Sequence, residues 1–148
     1  HVGVANPTTA LSANSGGGDV VYFGAEDETD VLAAGRLMYL HTSGNWKYTD
    51  ADAVSQGADS LLAIALGSAV SDGLLVRGFF KGSSAYISNW NASTSKGKAL
   101  YVGTDPSKMD FTKPTGASDF VRVVGYSTDT QYVIYFNPGT AWVEILSS

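Results

Sequence analysis

The chain has no cysteine and only two histidines among its 148 residues. Without Cys there is no disulfide, no thiolate zinc site and no thiol nucleophile, and redox compartment leaves no mark on the sequence. With His1 at the very start, a histidine-based metal cluster or acid–base pair would have to be built around His41 alone. Positive charge is scarce too: nine Lys and Arg stand against fourteen Asp and Glu, a formal net charge of −5. That sign opposes phosphate backbones and anionic lipid, so nucleic acid and membrane surfaces are poor partners. Long apolar runs are missing, since no stretch approaches the roughly 18 residues that a membrane-spanning helix needs. No basic segment followed by an apolar core marks a signal peptide. Nor is there a Gly-x-Ser-x-Gly elbow, a Gly-rich phosphate loop ahead of a helix, or paired His at metal spacing. The chain begins with His1 rather than Met, which reads as a fragment of something longer.

What the chain does have is a series of short runs of branched and aromatic residues, cut off by Gly, Asn, Asp, Ser or Pro. Such runs are strands, and the residues between them supply the backbone conformations that turns require. The candidates are Val20 to Phe23, Leu37 to Leu40, Trp46 to Tyr48, Leu61 to Leu66, Leu74 to Phe80, Leu100 to Val102, Phe120 to Tyr126, Tyr132 to Phe136 and Trp142 to Leu146. This spacing predicts an all-β fold, a small antiparallel β-sandwich or barrel of about nine short strands, in one domain over residues 19–148. A single domain of this length buries about 70% of the surface its unfolded chain exposes. Residues 1–18, small and polar and ending in Ser15-Gly16-Gly17-Gly18, read as an N-terminal arm or linker. Asp50 to Ala58 tolerates a helix but holds only Val54 as a large apolar residue, so at most one turn is expected there.

The strand block carries an internal echo. Ala34-Gly35-Arg36-Leu37-Met38-Tyr39-Leu40 is matched by Lys96-Gly97-Lys98-Ala99-Leu100-Tyr101-Val102, each followed by a polar turn and an aromatic residue, Trp46 and Phe111. Further on, Ile64-Ala65-Leu66 corresponds to Val124-Gly125-Tyr126, and Leu74-Leu75-Val76 to Val133-Ile134-Tyr135. The pattern reads as two similar meanders packed face to face.

Chemistry-bearing candidates are few. The acidic run Glu26-Asp27-Glu28-Thr29-Asp30 lacks the spacing of a calcium loop and reads as a charged, edge-blunting turn. No carboxylate pair stands out for sugar hydrolysis, whose geometry is set by the fold. No catalytic residue, metal ligand or cofactor is assigned. Trp90 is set among polar neighbours in Ser88-Asn89-Trp90-Asn91-Ala92-Ser93-Thr94, and an aromatic face flanked by Asn89 and Asn91 suits stacking on a sugar ring. The alternative is that Trp90 folds back over the sheet or lies between subunits. Arg77 and Arg122 each interrupt an apolar strand, facing solvent or pairing with a carboxylate at a subunit seam.

Several pieces together resemble a module found at the ends of tailed-bacteriophage fibre proteins. They are Gly18-Asp19-Val20-Val21-Tyr22-Phe23-Gly24, Ala34 to Leu40 with Ser43-Gly44-Asn45-Trp46, Asp50-Ala51-Asp52-Ala53, Leu61 to Gly67, Gly73-Leu74-Leu75-Val76-Arg77-Gly78, Gly97-Lys98-Ala99-Leu100-Tyr101, and Asp119 to Tyr126 through Phe136-Asn137-Pro138 to Trp142-Val143-Glu144. They span about four-fifths of the chain. More loosely, the chain is similar to phage capsid decoration proteins, which share the Ala-Gly-x-x-x-Tyr start and the later Gly-Lys-x-Leu-Tyr. The resemblance implies a non-enzymatic structural protein of the virion surface, commonly a homotrimer among other virion proteins, that contacts a host surface glycan or protein as a receptor-binding tail fibre. Cementing the capsid is the alternative it implies, and a polysaccharide depolymerase is a third possibility. Receptor contacts in such modules lie in variable loops, so the resemblance assigns no binding residue and Trp90, Asn89 and Asn91 stand on their own chemistry.

Overall fold

The computed structural model describes residues 11–147. Among them there is no α-helix; the one helical turn is a 3-10 turn at Val70–Asp72, and Asp50 to Ala58 is a chain of turns. Thirteen strands form: β1 (Ser15–Val21), β2 (Ala25–Glu26), β3 (Leu37–Leu40), β4 (Asn45–Tyr48), β5 (Leu62–Ala65), β6 (Leu74–Lys81), β7 (Ile87–Ser88), β8 (Ala99–Val102), β9 (Met109–Asp110), β10 (Phe120–Val121), β11 (Val123–Ser127), β12 (Val133–Phe136) and β13 (Val143–Glu144). The all-β expectation holds, and the barrel alternative does not, because the main sheet is open and ends on β2 and β7. The count exceeds nine because β2, β7 and β9 are two-residue strands with no branched run to announce them, and because Phe120 to Tyr126 is split at Arg122. Ser15–Gly18, read as the end of an arm, are the first four residues of β1; residues 1–10 of that arm lie outside the described residues.

The eleven-stranded sheet is hydrogen-bonded in the order β2-β4-β3-β5-β6-β12-β11-β8-β9-β7, a palindrome about the β6–β12 junction. Each half ends in a two-residue parallel pair, β2 with β4 and β7 with β9, and is otherwise antiparallel. β1 runs alongside β6 over its whole length, while the opposite edge of β6 takes β5 at Leu74 and Leu75 and β12 at Gly78 to Lys81. The β1–β6 ribbon therefore passes through both halves. The echo in the sequence is repeated in the backbone bonds. Gly35 N donates to Ala65 O at 2.9 Å and Gly97 N to Ser127 O at 3.1 Å; Leu66 N donates to Gly73 O and Thr128 N to Val133 O. Gly35 and Gly97 both hold positive φ, +100° and +74°, at this turn.

Strand register corrects the detail of the echo. Trp46 faces Leu40 and Met109 faces Val102, so the counterpart of Trp46 is Met109 rather than Phe111. Likewise Ile64 corresponds to Tyr126 and Leu75 to Tyr135, shifts of two and one residues from the sequence alignment. A one-residue slip exchanges the faces of a strand, so the shift at Leu75 matters. Ile64 and Leu75 are fully buried, whereas Tyr126 and Tyr135 are 51% and 37% exposed. The two halves thus turn opposite faces toward one shared core, in which Leu37, Tyr39, Ile64 and Leu75 meet Phe80, Leu100, Val102, Ile134 and Phe136. The other face of the first half is buried as well, with Met38, Trp46, Ala63 and Leu74 covered by Leu32 and Val70. The change of face within β6 comes from a bulge: Val20 pairs with Leu75 and Asp19 with Arg77, leaving Val76 without a partner on β1.

The two strand arginines part company. Arg77 is exposed and pairs with Asp19 at 2.8 Å. Arg122 is buried and meets neither expectation: its Nη1 donates to the carbonyls of Gly57 at 2.9 Å and Ser60 at 2.6 Å, and its Nε to that of Gly139 at 2.8 Å. It ties the 57–60 turn and the turn after β12 to the core, which a local sequence pattern does not foreshadow.

Candidate functional site

Asn89, Trp90 and Asn91 directly follow β7. Asn89 takes positive φ, +66°, and its Nδ2 donates to Asp110 Oδ1 on β9 at 2.7 Å. Trp90 is half-buried, its ring edge-on to Phe111 at 5.8 Å and tilted against Tyr132 at 6.2 Å. Within the chain Trp90 thus rests on Phe111, just after β9, and Tyr132, just before β12. Asn91 builds its own turn, donating N–H to Ser95 Oγ and accepting from Ser93 N–H through Oδ1, each at 2.8 Å. Of the three, Asn89 alone lines the adjoining depression, about 440 Å³ in volume, whose wall includes Lys98, Tyr101, Phe111 and Thr112.

That depression opens on the outer face of the second half, where a row of side chains crosses five strands. Gly17 on β1 faces Phe79 on β6, Phe79 faces Tyr135 on β12, Tyr135 faces Tyr126 on β11, and Tyr126 faces Ala99 on β8. With strands about 4.8 Å apart the row is about 19 Å long. The Phe79 and Tyr135 rings lie 5.3 Å apart, tilted by 49°. Gly17 and Ala99 at the two ends carry no bulk, and among the described residues nothing lies within 4 Å of where a Cβ on Gly17 would stand. A second depression of about 420 Å³ lies at the β1 end, lined by Leu11, Gly17, Arg77, Phe79 and Tyr135. Two hollows, one with Arg77 and one with Lys98, are thus joined by an aromatic row. Sequence reasoning missed this row because Phe79, Tyr126 and Tyr135 sit in strand runs indistinguishable from core. The β6 bulge and the irregularity between Val123 and Gly125 decide their outward direction.

Charge is spread unevenly along the chain. Residues 19–73 carry nine acids and two cations, and residues 74–147 carry five acids and seven cations. In the acidic run, side chains are engaged within the fold. Asp27 accepts from Asn45 Nδ2 and pairs with Lys47, each at 3.1 Å, Asp30 accepts from Tyr48 N–H, and Glu26 accepts from Val70 N–H. These donors, Asn45 first, then the Asp30 N–H, the Thr29 hydroxyl and Lys47, hold the Asp27 carboxyl well below the usual carboxylate range. His41 closes its own turn through Nδ1 to Ser43. A third depression, about 480 Å³, is rimmed by Asp52, Asp105, Asp110 and Asp119, and burial, then the charges of Asp50 and Asp119, push the Asp52 carboxyl up. Among the described residues no group of three or more His, Asp or Glu is placed to hold a metal ion. No family model, curated protein or solved structure matches the chain.

Proposed function

We propose that this chain is a host-binding terminal domain of a tailed-bacteriophage fibre, a non-enzymatic virion surface protein that acts as a homotrimer and contacts a host glycan or protein. The observation that carries this reading is the row Phe79, Tyr135 and Tyr126 across the outer face of the sheet. Exposed Tyr126 and Tyr135, with half-buried Phe79 beside them, lie between two hollows, and a surface of that kind held on strands suits recognition. The motif resemblance to fibre modules supports the viral setting, and trimeric presentation would multiply weak single contacts. The test is saturable binding of the labelled protein to a panel of bacterial isolates, together with its mass in solution. A trimer that binds a subset of isolates is expected; a monomer that binds none would remove the reading.

One observation favours a second reading, glycan hydrolysis: Asp52, with its raised carboxyl, shares a hollow with Asp119. Shortened capsule chains after incubation with the protein, and intact ones with Asp52→Asn, would put depolymerisation in place of pure attachment.

A further inference from the structure

We infer that the hollow at the β1 end of the aromatic row is the docking site of the chain's own residues 2–10, an intramolecular contact that goes beyond the attachment reading and does not depend on it. The first described turn aims the chain there. Ser15 Oγ donates to the carbonyl of Ser12 at 2.6 Å, Asn14 takes a positive φ of +58°, and Asn14 N–H donates to Lys81 O at 2.6 Å. On the far side of that turn, half-buried Leu11 lines the same hollow as Gly17, Phe79 and Tyr135, so the chain has doubled back over the strand it is about to enter. Leu11 is the first described residue, and the ten residues before it therefore set out from within the site. From β1 to β12 the sheet crosses two strand spacings, about 10 Å, while ten extended residues reach about 33 Å. Length is ample for the segment to lie across Phe79 and Tyr135.

The chemistry of the hollow selects this occupant. Its two charged residues, Arg77 and Asp19, pair with each other at 2.8 Å, which leaves the walls without net charge and gives no preference to an ionic ligand. Residues 2–10, Val-Gly-Val-Ala-Asn-Pro-Thr-Thr-Ala, have no charged side chain, and Val2, Val4 and Pro7 bring apolar surface to the two rings. Gly17 supplies the room: a Cβ on Gly16 or Gly18 would overlap carbonyl oxygens of β6, whereas at Gly17 nothing among the described residues is met. Tethering at Leu11 holds the segment at a local concentration of about millimolar, so weak contacts suffice and its own hollow is favoured over that of a neighbouring copy. Tyr126, at the other end of the row, is not part of this hollow.

The test uses the full chain, whose lack of cysteine lets a single one be placed at will. A nitroxide on Thr8→Cys should broaden the amide resonances of Phe79 and Tyr135 and leave those of Met38 and Trp46, buried in the first half, sharp. Sharp resonances at Phe79 and Tyr135 would overturn the inference. Isotope-labelled chains refolded together with unlabelled chains that carry the nitroxide separate the competing occupant: broadening stronger in that mixture than within one chain would assign the segment to a neighbouring copy and equally overturn it. As a second readout, thermolysin cleavage before Val4 should speed up about tenfold in Tyr135→Ala at an unchanged melting temperature, because cleavage tracks the undocked fraction. An unchanged cleavage rate in that variant would count against docking in the same way.

Discussion

A buried guanidinium held entirely by carbonyl oxygens makes Arg122 the most consequential single side chain for stability. Burial pushes its pKa down, and the nearby Asp59 charge works the other way. Arg122→Ala would leave the carbonyls of Gly57, Ser60 and Gly139 without their donor and should cost about 3 kcal/mol in urea unfolding. Arg122→Lys should recover little of it, because an ammonium cannot reach carbonyls on two turns as the planar fork does. Asp27 governs the acid limb. Its carboxyl is held below the ordinary value of 3.8, so the stabilisation it contributes is fully present above that pH and is lost as pH falls below about 4. Melting temperature followed from neutral to acid pH should therefore drop more steeply in the parent than in Asp27→Asn, with the two curves converging in acid. Trp90→Ala, which removes two ring contacts from a half-buried site, should cost about 2 kcal/mol in the same urea assay. A neutral outcome would show the ring to be free of the sheet.

At the level of the strand, the β1–β6 ribbon turns from one half into the other at a pair of facing glycines. Gly18 and Gly78 sit opposite each other with φ of +147° and +146°, and a Cβ on Gly78 would overlap the Gly17 carbonyl oxygen. Gly78→Ala should destabilise by at least about 2 kcal/mol and loosen amide protection along β1 in hydrogen exchange. Protection unchanged along β1 would place the turning point elsewhere. The long strands were legible because Leu37-Met38-Tyr39-Leu40 and Leu74-Leu75-Val76 carry dense branched and aromatic content. Their partners were less so: Ala25-Glu26 and Ile87-Ser88 become strands only because β4 and β9 lie beside them, a tertiary cause with no local signal. The echo was visible through Gly35 and Gly97, whose turn geometry demands glycine, but its register was not. One unpaired residue at Val76 and another irregularity before Gly125 shift faces without changing composition. For the same reason Trp90 is conspicuous among its polar neighbours, whereas Tyr126 and Tyr135 stand in apolar company.

Across the whole molecule, the two halves share one core and one ribbon, so neither holds a complete set of contacts. Residues 11–73 alone lack β6 and every second-half partner of Leu37, Ile64 and Tyr39. That fragment should show no cooperative melting, while the entire chain should unfold in a single transition with coincident near- and far-ultraviolet circular dichroism. Two separate transitions would mean that the halves are independent. The unlike orientation of the halves has a further consequence for how such a protein can change. In the first half nearly every position of β3 and β5 is buried, so most replacements there are penalised by the fold itself. In the second, Tyr126 and Tyr135 stand exposed, and new side chains can be tried there while the scaffold beneath keeps its shape. A doubled architecture has thereby set one copy to keep the form and left the other free to alter what is touched.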